Sequence, residues 1–141
     1  MEISNVKRRV LETIDAARRA AAERRTRVDE AGREYELFLD QIAVPILKQV
    51  ANVLRAEGHA FTVFTPGGSV RLMSDRAGED YIELSLDSTG ADPRVIGHSS
   101  RARGRRVLEA ERAIADRPPS DLTEEDVLGF VLKELGSFVD R

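Results

Sequence analysis

Apolar residues in the first third of the chain recur at alternating spacings of three and four residues, as on one face of a long helix. Between Ser4, a candidate N-cap, and Gly58, a natural C-terminal stop, the residues are mostly strong helix formers and no turn cluster intervenes. At 1.5 Å per residue, a helix of this length would extend for about 80 Å, well beyond the width of a small domain. We therefore expect its first part to project from the rest of the protein.

The spacing follows a coiled-coil heptad, and it runs through Gly32 without a change of phase, which favours one continuous helix. The predicted interaction seam consists of Ile14, Ala17, Ala21, Arg24, Val28, Ala31 and Tyr35. Such a seam buries little apolar surface per heptad and needs another surface to cover it. The sequence favours a homo-oligomer, a dimer above all, over two alternatives: a helix of another protein, or a helix folded back on its own chain.

Pro45 interrupts the heptad. Proline lacks the N–H that would bond to residue 41, so we expect a kink there at a cost of about 3 kcal/mol. Beyond it the apolar stripe is expected to restart at Ile46, Val50, Val53 and Leu54. From Leu37 onward the helix is apolar on more than one side, as in a buried segment. The sequence thus predicts a projecting helical segment over residues 1–36 and a small α+β domain over residues 37–141.

After Gly58 the pattern changes to short alternating runs separated by turn residues. Four strands are predicted, over residues 60–65, 69–74, 81–87 and 94–100. Their short connections favour a four-stranded antiparallel meander. Residues 101–116 fit two interpretations: the spacing of Val107, Ala110 and Ile114 suits a helix face, whereas the apolar residues after Gly104 could extend the sheet. The helix is the preferred interpretation.

The last predicted element is an amphipathic helix. Thr123 and Asp126 have the spacing of a capping box, and acids fill the first turn, where the helix dipole favours them. Its apolar stripe, expected to pack on one face of the sheet, consists of Val127, Leu128, Val131, Leu132, Leu135, Phe138 and Val139. Phe130 lies off this stripe and is interpreted either as an exposed aromatic residue or as an intersubunit or ligand contact.

Composition narrows the classes of protein without indicating an activity. The chain has 141 residues, a formal charge of -3 and no cysteine, which fits one domain and excludes disulfides, thiolate nucleophiles and Cys-ligated metals. We expect a cytoplasmic protein. No apolar stretch of 18 residues and no secretion signal are recognised, so no membrane span is expected.

Charge is distributed unevenly along the chain. From Lys7 to Arg33 nine basic residues outnumber five acidic ones, and from Asp116 to Arg141 seven acids outnumber three bases. This asymmetry is typical of proteins that attract a second copy head to tail or bind a polyanion.

A second basic cluster follows the fourth predicted strand and is a candidate anion-binding site. Its residues are Ser99, Ser100, Arg101, Arg103, Arg105 and Arg106. Hydroxyl and guanidinium groups bind phosphate through directed hydrogen bonds. Nucleic acid is a less favoured ligand, because the whole chain is slightly acidic and the cluster lacks aromatic residues that stack on bases. A solvated or internally paired loop is the other interpretation.

No residue pattern predicts a catalytic site, a metal site or a cofactor. Capping explains the acids Glu124 to Asp126, and the two imidazoles of His59 and His98 are too few for a zinc site without thiolates. The sequence therefore favours a non-enzymatic protein-protein interaction module, of an adaptor, scaffold or chaperone-like kind, which uses the helix seam or the sheet. The alternatives are a nucleic-acid or anionic-ligand binder and an enzyme of unrecognised type.

Overall fold

The computed structural model describes residues 1–140 and has an α+β architecture. The chain forms α1 (Ile3–Phe38), a π-helical turn (Leu39–Ala43), α2 (Val44–Ala56), β1 (Phe61–Phe64), β2 (Val70–Ser74), β3 (Tyr81–Asp87), β4 (Arg94–Arg103), β5 (Arg106–Ala113), a 3-10 turn (Pro119–Asp121) and α3 (Glu124–Val139). The strands make one antiparallel sheet in the order β1-β2-β3-β4-β5. The predicted antiparallel meander is confirmed, but it has five strands rather than four.

The fifth strand corrects the helical interpretation of residues 101–116. Strand β4 continues to Arg103, which pairs with Arg106 across a two-residue turn. Gly104 occupies the first central position of that turn with φ +64, a conformation that side-chain-bearing residues rarely adopt and that type II′ hairpin turns require. Cross-strand pairing with β4, which periodicity along one segment cannot reveal, decided between the two interpretations.

The long N-terminal helix is continuous, as predicted. It includes Gly32 and ends before Gly58, whose φ is +89. The prediction for its start was wrong, because the helix begins at Ile3 with Glu2 as N-cap and without a side-chain capping bond.

The chain accommodates Pro45 through the π-helical turn that precedes it. The Val44 N–H bonds to the Leu39 carbonyl, five residues back, so one extra residue enters the turn. Pro45 then lies in the first turn of α2, where an N–H would have no helical partner.

The extra residue also changes which side chains face the sheet. The buried face passes from Phe38 to Ala43 and continues through Leu47, Ala51 and Leu54. Of the predicted stripe, Leu54 is buried and Ile46 and Val50 are half-buried against the core, whereas the prediction for Val53, which is 64% exposed, was wrong. A π-helical turn adds about one residue to the helical phase, which a strict 3.6-residue period does not anticipate.

The hydrophobic core lies between one face of the sheet and the helices. The sheet contributes Val70, Leu72, Ile82, Leu84 and Val95, all fully buried. Helix α3 contributes Val127, Val131 and Phe138, and the Phe138 ring meets Phe61 of β1 edge to face at 6.2 Å between centroids. The predicted packing of α3 on one face of the sheet is confirmed.

Phe130 belongs to this core, contrary to both sequence interpretations. Its ring is 4% exposed and fills the space above Gly97 of β4, while the Arg112 guanidinium carbon lies 4.5 Å from the ring centroid. Leu132, predicted to be part of the packed stripe, is instead 57% exposed. The missing side chain at Gly97 creates the slot, so the partner of Phe130 is set by a residue far away in sequence.

One helix among the described residues, Ile3–Ala56, is long and apolar enough to cross a membrane by length and composition alone. Core helices of water-soluble proteins, which are mostly buried, meet the same criterion, whereas 28% of the apolar window of this helix is buried. Here Phe38, Leu47 and Leu54 of this helix are buried in the protein's own core.

The slot for Phe130 leads to a stability prediction. A Cβ atom added at Gly97 would lie 2.3 Å from the tip of the Phe130 ring. We expect Gly97→Ala to lower the free energy of unfolding by about 1–3 kcal/mol through overpacking. Gly129→Ala is the matched control, because no atom lies within 4 Å of its added Cβ and alanine favours helix by up to about 1 kcal/mol. Urea unfolding measures both, and an equal effect of the two substitutions would contradict the packing account.

Candidate interaction surface

The N-terminal part of α1 extends away from the packed body. No side chain between Ile3 and Glu30 is buried, and Ala21 is half-buried. The large apolar side chains exposed on this part are Ile3, Val6, Val10, Leu11, Ile14 and Val28. We call these residues, together with Ala17 and Ala21, the helix stripe.

The β3–β4 loop reaches the helix only at its middle. An open groove there is lined by Arg24, Arg25 and Val28 of α1 and by Thr89 and Gly90 of the loop. The part of the helix before Ala21 therefore lies beyond this loop and is about 27 Å long at 1.5 Å per residue.

The structure divides the predicted seam into two parts. Ile14, Ala17, Ala21, Arg24 and Val28 lie on the projecting part, whereas Ala31 and Tyr35 are 6% and 5% exposed and belong to the body. The Tyr35 hydroxyl donates to the Gly68 carbonyl at 2.7 Å. Burial against the body begins at Ala31, so the last two seam residues are covered by the protein's own sheet and connecting loop.

The buried tyrosine is held in its neutral form. Burial raises the pKa of Tyr35 well above its usual value of 10, and the negative charge of Glu83 raises it further. The hydroxyl therefore keeps its proton, and its hydrogen bond to Gly68, through neutral and moderately alkaline pH.

Basic side chains border the helix stripe. Arg8 pairs with Glu12 one helical turn away and also bonds to Asn5. Several other helix arginines, all exposed, form no ion pair within residues 1–140: Arg18, Arg24, Arg25 and Arg27. The stripe thus has an uncompensated basic edge.

The six residues of the candidate anion site do not converge. Ser99 and Ser100 are buried; the Ser99 hydroxyl donates to the Glu134 carboxylate at 3.1 Å and the Ser100 hydroxyl to the Glu79 carbonyl at 2.8 Å. Successive strand residues point to opposite faces of a sheet, so these two hydroxyls cannot serve one ligand. The Arg103 side chain is also engaged, which leaves the side chains of Arg101, Arg105 and Arg106 without a hydrogen bond or ion pair in the described part of the chain.

Arg103 has a structural task that the sequence analysis missed. Its guanidinium donates to the Ser137 carbonyl at 2.7 Å and to the Asp140 carboxylate at 3.1 Å. The last turn of α3 contains no basic residue of its own, so this arginine supplies the positive charge that a helix C-terminus favours. The sequence signal for this role was that the last turn of α3 has no basic residue, so a cation from another element was needed there.

Of the three acids at the start of α3, Asp126 serves the helix cap, as predicted, and Glu124 and Glu125 lie exposed in the first turn. The Asp126 carboxylate accepts from the Thr123 N–H at 2.8 Å and also from Arg117, and the Thr123 hydroxyl accepts from the Asp126 N–H. Within residues 1–140, no group of three or more His, Cys, Asp or Glu side chains is placed to hold a metal ion.

The two histidines have different neighbours in the fold. His98 faces Glu109 at 3.5 Å and packs edge to face on Tyr81. His59 lines a cavity of about 250 Å³ with Arg76, Asp80 and Phe138. The two imidazoles are therefore in separate environments.

Two carboxylates, those of Asp75 and Asp87, have pKa values below the usual value for aspartate. Hydrogen bonds from the Thr62 and Arg55 side chains lower the pKa of Asp75, and hydrogen bonds from Thr89 lower the pKa of Asp87. Both carboxylates are ionised at neutral pH and act there as hydrogen-bond acceptors that order loops.

Tyr35 allows a test with a defined pH dependence. We expect Tyr35→Phe to lower the free energy of unfolding by about 0.5–1.5 kcal/mol at neutral pH, because the Gly68 carbonyl loses its donor. The folded-state pKa of Tyr35 is raised, so its stabilisation is complete below pH 10 and is lost as the pH rises further.

The stability difference between wild type and Tyr35→Phe should therefore shrink above about pH 10 in denaturant titrations. Tyr81→Phe is the control, since it removes a hydroxyl that makes no hydrogen bond within residues 1–140. A difference between wild type and Tyr35→Phe that stays constant to about pH 11 would contradict the account.

Comparison of the chain with protein-family models, with curated proteins and with solved structures finds no match. The proposals below therefore depend on the geometry and chemistry of the chain itself.

Proposed function

We propose that this protein is a non-enzymatic interaction module that self-associates through the helix stripe. The observation that carries the proposal is the row of apolar side chains from Ile3 to Ile14, which projects beyond the body and has no cover from its own chain. Coiled-coil-like pairing of this row with another helix is the most economical way to cover it.

Solvation energetics support a partner for this helix. Full burial of one valine or isoleucine side chain contributes about 1.5–3 kcal/mol, and the projecting part exposes several of them in one row. Ala17 and Ala21 would allow the two helix backbones to approach closely.

Charge favours a particular kind of partner surface. Arg24 occupies a d position of the seam, so it would lie against its own copy in a parallel pair in register, and Arg18 and Arg25 at e positions add positive charge to the border. The start of α3 exposes Asp121, Glu124 and Glu125. A head-to-tail arrangement, with the basic helix of one copy near this acidic surface of another, is therefore electrostatically better than a parallel pair.

In this proposal the body holds the projecting helix in a fixed direction. The Tyr35 hydroxyl bond and the burial of Phe38 attach the helix to the sheet, so two associated helices would hold two bodies at a defined separation. That is the task of an adaptor or scaffold, and a chaperone-like capture of a partner segment along the stripe uses the same surface.

Light scattering coupled to size-exclusion chromatography tests the proposal across a wide concentration range. We expect Val10→Asp combined with Ile14→Asp to weaken self-association at least about 10-fold, because two charges enter the apolar row. Ala16→Asp combined with Ala22→Asp is the matched control, since it adds the same charge at exposed positions away from the stripe. A wild-type monomer at high micromolar concentration, or equal weakening by both pairs, would reject the proposal.

Binding of a nucleic acid or another polyanion is the second candidate function. It is favoured by the arginines without ion pairs on α1, namely Arg18, Arg25 and Arg27, and by Arg101, Arg105 and Arg106 at the β4–β5 hairpin. If this function is correct, affinity for a single-stranded oligonucleotide falls with salt, by a log-log slope of about -0.7 per phosphate contacted. Arg105→Ala with Arg106→Ala should make that slope shallower in fluorescence anisotropy titrations, whereas no binding at low salt would reject this candidate.

A further inference from the structure

Strand β5 is an open sheet edge of unusual accessibility. It is the last strand of the sheet, and seven of its eight residues are exposed. Edge strands commonly block unwanted pairing with a proline, a lysine or a bulge. Strand β5 contains neither residue and pairs with β4 without interruption from Arg106 to Ala113. Its outer backbone groups are therefore in an extended conformation that suits strand addition.

The other edge of the sheet is less suited to pairing. Strand β1 has only four residues, and the Arg55 guanidinium of α2 donates to the Phe61 carbonyl at 2.9 Å. A side chain that donates to a backbone carbonyl of an edge strand leaves fewer backbone groups free to pair with another strand. Strand addition at this sheet is thus expected at β5 alone.

The hairpin turn determines which β5 backbone groups face outward. A two-residue turn closes on a hydrogen-bonded pair, here Arg103 and Arg106, and hydrogen-bonded pairs alternate along an antiparallel ladder. In β5 the backbone N–H and C=O groups that bond to β4 therefore belong to Arg106, Leu108, Ala110 and Arg112. The N–H and C=O groups of Val107, Glu109 and Glu111 point to the open edge.

One antiparallel register of β5 with its own copy opposes no like charges. A two-fold axis perpendicular to the sheet places the same face of both copies on the same side. In each such pairing one residue lies directly opposite its own copy, and the register is said to be centred on that residue. Centred on Leu108, the register places Val107 of one copy opposite Glu109 of the other, and Arg106 opposite Ala110. Arg105, in the turn, then comes opposite Glu111. Like charges are nowhere directly opposed, which favours this register.

The other registers that pair at least five β5 residues all oppose like charges. Centring on Glu109 sets that carboxylate against its own copy and Arg106 against Arg112. Centring on Ala110 sets Glu109 against Glu111, and centring on Glu111 sets that carboxylate against itself. Directly opposed like charges destabilise a strand pair, so among the self-pairing registers the sequence of β5 favours the one centred on Leu108.

We propose that β5 is a self-recognition edge: a second copy of this chain pairs with it antiparallel, in the register centred on Leu108, and the two sheets join into one of ten strands. The Leu108 side chains, 39% exposed in a single copy, meet at a non-hydrogen-bonded position, where opposed residues come closest. This contact is separate from the helix stripe, so the chain has two self-association surfaces.

Disulfide trapping tests the register directly, because the chain has no cysteine of its own. In the proposed register the Leu108→Cys sites are about 4.5 Å apart at Cα, within disulfide range, whereas the Val107→Cys or Glu109→Cys sites are about 8 Å apart and outside it. Under mild oxidation we expect Leu108→Cys to form covalent dimers at least about 10-fold faster than either neighbouring variant. Val107, at 48% exposed, is the matched control for random collision.

Each outcome decides the proposal. Preferential trapping at residue 108 supports it, and comparable rates at residues 107 and 108 overturn it. Fastest trapping at Glu109→Cys overturns the register. Adding Glu109→Pro to Leu108→Cys removes an outward N–H and should abolish trapping while thermal unfolding shows an intact monomer. The Val10→Asp and Ile14→Asp substitutions should leave trapping unchanged, so failure of the helix-stripe proposal is distinguishable from failure of this one.

Discussion

The attachment of the long helix to the sheet is the constraint on which the rest of this structure depends. Phe38, Ala43, Leu47 and Leu54 must face one side of the sheet on both sides of a proline, and the π-helical turn keeps them aligned by inserting one residue. Without that turn, Pro45 would lie in a helix interior and the two apolar faces would diverge. The buried Tyr35 hydroxyl then fixes the position from which the helix leaves the body.

This arrangement gives the two parts of one continuous helix different roles. From Ala31 onward it supplies the core, and before Ala21 it is a rod with apolar side chains in water and a basic edge. The body uses its own polar residues internally: Ser99, Ser100 and Arg103 join strands to loops and to α3. The surfaces left for other molecules are therefore the projecting helix and the outer edge of β5, at which the meander ends.

The two surfaces differ physically, although both are proposed to bind a second copy. Helix pairing depends on apolar burial, and its arginine border makes it sensitive to charge and salt. Edge pairing depends on backbone hydrogen bonds, and the positions of the Arg and Glu side chains along β5 limit which alignments avoid like-charge contacts. If the two contacts join each copy to two different neighbours, a larger assembly forms from contacts that act independently.

Local pattern alone determined the continuous helix through Gly32, the capping box at Thr123, the meander and the position of the projecting apolar row, because each depends on residues a few positions apart. Only tertiary structure decided the rest. Pairing with β4 made residues 106–113 a strand, the slot at Gly97 took Phe130 into the core, and the protein's own sheet and loops covered Ala31 and Tyr35. The six anion-site residues were neighbours in sequence, but strand alternation and partners such as Glu134 and Ser137 separated them. These outcomes depend on groups that are tens of residues apart in sequence. Folding brings them together, and the local spacing of apolar and polar residues does not indicate which of them will meet.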